Sequence, residues 1–113
     1  LLCAGTNSLA TSAMLKAGAA RGATGEHAIV YNAQRAHLIL GPMGILLANG
    51  ILGEVSPAMA AAVSGAECKK VLIPSSTCGV LVAGTEERRL EDYLNSAVDL
   101  ALGEIARLAG QRA

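Results

Sequence analysis

The sequence predicts an α/β domain: a mostly parallel sheet with helices packed on both of its faces. Three observations predict it. Short apolar segments at residues 1–4, 37–40 and 70–73 alternate with stretches that carry helical spacing and cap residues. Apolar residues make up 52% of the chain and charged residues 16%, enough apolar surface for a core and too much for a disordered segment. Aromatic residues are only 2%, so that core must be packed from Ala, Leu, Ile, Val and Gly, small side chains that let helices lie close on a sheet. With 113 residues the chain fits a single domain of ordinary size.

Residues 1–4 read as the C-terminal end of a buried strand, and the first strand–loop–helix of the fold is expected to be missing ahead of them. Gly5-Thr6-Asn7-Ser8 follows, with Asn7 or Ser8 able to cap a helix whose apolar stripe is Leu9, Ala10, Ala13, Met14 and Ala17 and whose stop is Gly18. Residues 19–23 read as a small-residue link. Thr24 then caps a second helix that runs to about Arg35, with Glu26 in its first turn, where the helix dipole favours a negative charge.

Residues 37–40 form a short strand ending in Gly41-Pro42-Met43-Gly44, and residues 45–55 are expected to hold a short helix interrupted by Gly50 and Gly53. Ser56-Pro57 is a strong helix start, an N-cap followed by Pro at the first helical position, and that helix stops at Gly65. Residues 70–73 and 80–83 are apolar, β-branched runs joined by too short a link for a parallel crossover, so the pair is expected to be antiparallel. Thr85 is expected to cap a long last helix that buries Leu90, Tyr93, Leu94, Ala97, Val98, Ala101, Ile105 and Leu108. The sum is a three-layer sandwich of the Rossmann-like kind, with strands 1–4, 37–40 and 70–73 side by side.

Composition excludes several functions. The formal net charge is zero, so there is no basic face for a phosphate backbone, and Tyr31 and Tyr93 alone make no base-stacking platform; nucleic-acid binding is not expected. Cys3, Cys68 and Cys78 are odd in number and lack the paired spacing of metal or redox sites, which suits reduced thiols of a cytoplasmic protein and no metal centre. Residues 38–53 are uncharged but contain Pro42, Asn49 and four glycines, which suits a buried strand and tight loop rather than a membrane span of about 20 apolar residues.

In an open α/β sheet, ligands bind beyond the carboxyl ends of the strands. Gly5, Thr6, Asn7 and Ser8 answer that description, offering hydroxyl, amide and backbone N–H groups beside a helix start. So do Gly41, Pro42 and Gly44, whose backbone could approach a ligand closely. Both loops are equally explained as turns that any α/β fold requires. Glu26 and His27 are the only adjacent acid–histidine pair, and Glu54 follows Gly53 in a loop; these three are the candidates for acid–base work, although helix capping and loop stabilisation explain them too. Six of the nine carboxylates lie between Glu86 and Glu104, as a solvated helix face would have them. Ser75-Ser76-Thr77 suits a polar turn, Cys78 has no evident base beside it, and there is no G-x-G-x-x-G, P-loop or G-x-S-x-G motif.

The order of Gly5-Thr6-Asn7-Ser8, Gly22-Ala23-Thr24-Gly25-Glu26, Gly41-Pro42-Met43-Gly44-Ile45, Ala48-Asn49, Leu52-Gly53-Glu54 and Ser56-Pro57 resembles a bacterial family of short proteins of unknown function. The resemblance covers nearly the whole chain. It implies a Rossmann-like fold and an opening strand with a Gly-rich loop of the G-Q-G-G-G-I-G type, a natural phosphate cradle that is expected to be missing ahead of Leu1. No cofactor and no catalytic residue follow from it. The residues themselves favour a small-molecule-binding domain for a nucleotide or another phosphorylated metabolite. The alternatives are a small enzyme using Glu26, His27 or Glu54, and an interaction module that forms homo-oligomers.

Overall fold

A computed structural model describes residues 1–74, 78–86 and 88–112. The chain divides into two compact units, Leu1–Ala36 with Gly44–Glu67, and His37–Met43 with Cys68–Ala113.

The first unit starts as a strand–helix–strand crossover. Strand β1, Leu2–Gly5, and strand β2, Arg21–Thr24, pair in parallel with Leu2 opposite Arg21 and Gly5 opposite Thr24. Helix α1, Ser8–Lys16, connects them and packs on both. Asn7 is its cap, accepting a hydrogen bond from the Ala10 amide through its side chain, and Gly18 follows its end at φ +123, as the sequence predicts. Its expected apolar stripe is turned, however. Leu9 is 83% exposed, and Thr11 is the residue that is buried. The cause is close approach: the bare Cα atoms of Gly5 and Gly22 leave room for the Thr11 side chain, since a Cβ at Gly5 would lie 2.4 Å from Thr11 Oγ1 and one at Gly22 2.9 Å from Thr11 Cγ2.

Helix α2, Glu26–Ala33, is entered through Gly25 at φ +96, a left-handed conformation that explains the glycine. Thr24 is therefore not the cap; it is the last residue of β2, and its hydroxyl is 2.8 Å from that of Thr11. Residues 43–46 make one 3-10 turn, Met43–Leu46, and a tight loop leads on to helix α3, Pro57–Ser64. Ser56 caps α3 with Pro57 at its start and Gly65 ends it, all as predicted. Val55, Met59 and Ala60, with Ile29 of α2 against them, form the core of this unit.

In the second unit, strand β3, Leu38–Pro42, pairs in parallel with strand β4, Lys69–Ile73, Leu38 lying opposite Lys69. Helix α4, Leu90–Arg112, packs on both strands.

Further expectations need correction. The strands do not form one sheet: β1 pairs with β2 and β3 with β4, in two separate two-stranded sheets. The residues read as a link, 19–23, hold most of β2, whose Gly and Ala give no strand propensity but fit the narrow space under α1. No antiparallel hairpin is found among the described residues: residues 80–83 are not a strand, and they lie between Gly79 at φ +75 and Gly84 at φ +85, which turn the chain. Residues 75–77 of the expected turn lie outside the described residues.

Last, Thr85 does not cap α4. Its hydroxyl donates back to Val82 O at 2.6 Å, and the helix begins at Leu90 with Glu91 and Asp92 in its first turn. Of its expected buried face Ala97 and Ala101 are buried and Tyr93 and Leu108 half-buried, whereas Leu90, Leu94, Val98 and Ile105 are exposed. No helix among the described residues is long and apolar enough to cross a membrane.

Candidate functional site

In the first unit, β1 and β2 run the same way, so the loops that leave them emerge at one edge. The Gly25 amide donates to Gly5 O at 2.9 Å, which fixes the two loops beside each other. From this edge three helices start or are joined: α1 behind Asn7, α2 at Glu26 and α3 behind Ser56.

Two carboxylates tie these helix starts together. Asn7 uses its Oδ1 to cap α1 and donates through Nδ2 to Glu54 Oε1 at 3.0 Å; Thr6 Oγ1 donates to Glu54 Oε2 at 2.8 Å. Ser56 works the same way. Its Oγ accepts from the Met59 amide at 3.2 Å, capping α3, and donates to Glu26 Oε1. Each cap residue thus serves its own helix with one function and a carboxylate from elsewhere with another. Negative charge is favoured at such a place by the partial positive charge of helix N-termini.

Beneath this layer Thr11 binds the strands. Its hydroxyl lies 3.2 Å from Asn7 O, 3.2 Å from Ala23 O and 2.8 Å from Thr24 Oγ1. A hydroxyl has one proton, so when Thr11 donates to a carbonyl, Thr24 donates to Thr11.

Glu54 is delivered by an unusual loop. Asn49, Ile51 and Leu52 have φ of +64, +53 and +54, and Gly53 has +88. Asn and Gly adopt this left-handed conformation readily, but for Leu and above all β-branched Ile it is strained. Such strain is concentrated at functional positions.

The predicted ligand residues are therefore divided. Thr6 and Asn7 converge on Glu54, Gly5 packs against Thr11, and Ser8 is the first residue of α1. Gly41 and Pro42 belong to β3 in the second unit, opposite Leu72 and Ile73. Gly44 is buried in the first unit beneath the Ile51 side chain. Of the acid–base candidates, Glu26 and Glu54 both stand at the strand edge, whereas the exposed His27 ring stacks on Tyr31, with the Arg35 guanidinium 3.7 Å from the Tyr31 ring centre. Among the described residues no group of three or more His, Cys, Asp or Glu side chains is placed to hold a metal ion.

In the second unit, an open groove between β4 and α4 is lined by Lys69, Lys70, Asp99 and Glu104 among others. Arg107 at 2.9 Å and Lys69 at 3.2 Å hydrogen-bond the Glu104 carboxylate and hold its pKa below the usual value.

A family described as a domain of unknown function, DUF3842, matches residues 1–106. The chain belongs to this family. No curated protein and no solved structure matches it. All of the residues that meet at the β1–β2 edge, from Thr6 to Ser56, fall within the part of the chain that carries the DUF3842 match.

Thr11 and the Ser56–Glu26 pair escaped the sequence reading. A lone Thr among Ala and Leu on a helix facing two glycines was the signal for the first. For the second, and for the partners of Glu54 nearly fifty residues away, no local signal exists.

Proposed function

We propose that the first unit is a small-molecule-binding module whose ligand, a nucleotide or another phosphorylated metabolite, is met by Gly5, Thr6, Asn7 and Ser8. The observation that carries this reading is the strand–helix–strand crossover. The loop after β1 opens α1, and an acid, Glu26, follows β2 about twenty residues along, at the same strand edge. In dinucleotide-binding folds the first of these positions takes phosphate, through helix N-terminal amides, and the second takes sugar hydroxyls. Thr6 and Asn7, whose side-chain donors Glu54 holds in this structure, add two donors to the first position once Glu54 swings away. Carboxylates repel phosphate, so Glu54 gives way to the phosphate end and the hydroxyl-bearing end of the ligand faces Glu26.

The experiment is thermal unfolding of the chain with a panel of nucleoside mono-, di- and triphosphates, nicotinamide dinucleotides and inorganic phosphate. A ligand present at a hundred times its dissociation constant stabilises by about 2.7 kcal/mol, which moves Tm by several degrees. The shift is expected to vanish in Thr6→Ala/Asn7→Ser, which keeps a capping residue on α1. No shift with any member of the panel, in a chain that folds, overturns the reading.

A further inference from the structure

Residues 49–54 look outward from a loop that holds its own backbone tightly. Gly53 N donates to Asn49 O at 3.0 Å and Glu54 N to Ile51 O at 3.1 Å; Asn49 N and Val55 O close the ends at 2.7 Å. The C-terminal end is anchored, because Val55 is only 2% exposed. At the tip the reverse holds: Leu52 is fully exposed, so its side chain gains no packing in return for its left-handed backbone. Among the described residues, all the non-glycine residues at positive φ fall within these six positions. The side-chain hydrogen bonds that join the loop to the rest of the unit are the two received by Glu54 from Thr6 and Asn7.

We propose that residues 49–54 form a sprung flap and that Glu54, seated on Thr6 and Asn7, is the clasp that keeps it shut. Strain at Ile51 and Leu52 favours opening; the two hydrogen bonds to a charged acceptor, together with the Ile51 side chain seated over Gly44, oppose it. Gly53, at φ +88 with open space around it, supplies the hinge, and Gly50, packed against Gly44 O, and Val55 keep the opening local. Opening releases Thr6 Oγ1 and Asn7 Nδ2 together. The flap therefore governs access to those two donors, a consequence that rests on the binding reading above, whereas the clasp itself does not.

Hydrogen exchange of the full chain tests it. In Glu54→Ala the hydrogen-bonded amides of residues 53–55 are expected to exchange about tenfold faster, with those of α1 and the middle of α3 unchanged, as for a local opening. Asn7→Ser combined with Thr6→Val, which removes the clasp from the other side, should do the same, and it serves as the reading if Glu54→Ala fails to fold. Adding Leu52→Gly to Glu54→Ala relieves the spring and should slow exchange again. Unchanged exchange at 53–55, acceleration spread evenly over the whole unit, or no recovery with Leu52→Gly overturns the proposal. Faster flap exchange with no thermal shift from any nucleotide would leave the clasp standing and remove the binding reading; a thermal shift with unaltered exchange would do the opposite.

Discussion

Asn7 faces Glu54 with one end of its amide and the α1 backbone with the other, Nδ2 reaching Oε1 at 3.0 Å while Oδ1 holds the Ala10 amide at 2.9 Å. The two ends can be tested separately. Asn7→Ala loses both and should cost about 1–2 kcal/mol, the usual loss for a removed cap. Asn7→Asp keeps the cap but sets two carboxylates against each other. Its deficit should shrink when Glu54→Gln is added, which removes the facing charge. Urea unfolding of the single and double variants at pH 7 is the measurement; a deficit in Asn7→Asp that persists in Asn7→Asp/Glu54→Gln would show that Glu54 is not its cause.

Gly5→Ala should destabilise the chain by about 1–3 kcal/mol, as overpacking does. The new Cβ would stand 2.4 Å from Thr11 Oγ1, 2.7 Å from Thr11 N and 2.9 Å from Asn7 O, and two of those three are backbone atoms that cannot step aside. A lower urea midpoint with an unchanged slope is expected. The double variant Gly5→Ala/Thr11→Ala should recover only the part due to the hydroxyl.

Leu52→Gly is expected to stabilise. A left-handed non-glycine residue costs about 1–2 kcal/mol, and the entropy of a new glycine takes back about 0.5–1 kcal/mol, so a gain of roughly 0.5–1 kcal/mol remains. Leu52 contributes no burial to lose. A drop in Tm for this variant would mean that the backbone there is not strained.

Glu104 should make stability depend on acid. Arg107 first, then Lys69, hold its carboxyl below the usual value in the folded chain. A depressed carboxylate stabilises above its unfolded value, about 4.3, and that stabilisation is lost as pH falls through the lower folded value. Glu104→Gln should therefore unfold more readily than the parent at neutral pH, and the two should converge in acid. Equal pH profiles for parent and variant would remove the effect.

How much of this could be read from the sequence depended on whether the signal was local. Asn7, Ser56-Pro57, Gly18 and Gly65 mark helix ends because capping is settled within four residues, and they stand where they were expected. Strand β2 was hidden: Arg21-Gly22-Ala23-Thr24 has no apolar run, and it is a strand because Thr11 and β1 leave it that space. The long apolar face of α4 shows the opposite error, a strong period whose burial needs a partner that Ala97 and Ala101 find, Tyr93 and Leu108 find in part, and Leu90, Leu94, Val98 and Ile105 do not. At the candidate site, Thr6, Asn7, Glu26 and Glu54 could all be named from residue type and neighbourhood. Their pairing could not, since it is made by two contacts across 47 and 48 residues and one across 30.

The place of Thr11 has a consequence for how this chain can vary. Valine has the same outline, but it would leave Thr24 and two backbone carbonyls facing a methyl group. Serine keeps the hydroxyl and gives up the methyl that rests near Gly22. Positions 5, 11, 22 and 24 are thus a lock of four parts, and a change in any one narrows what the other three can become.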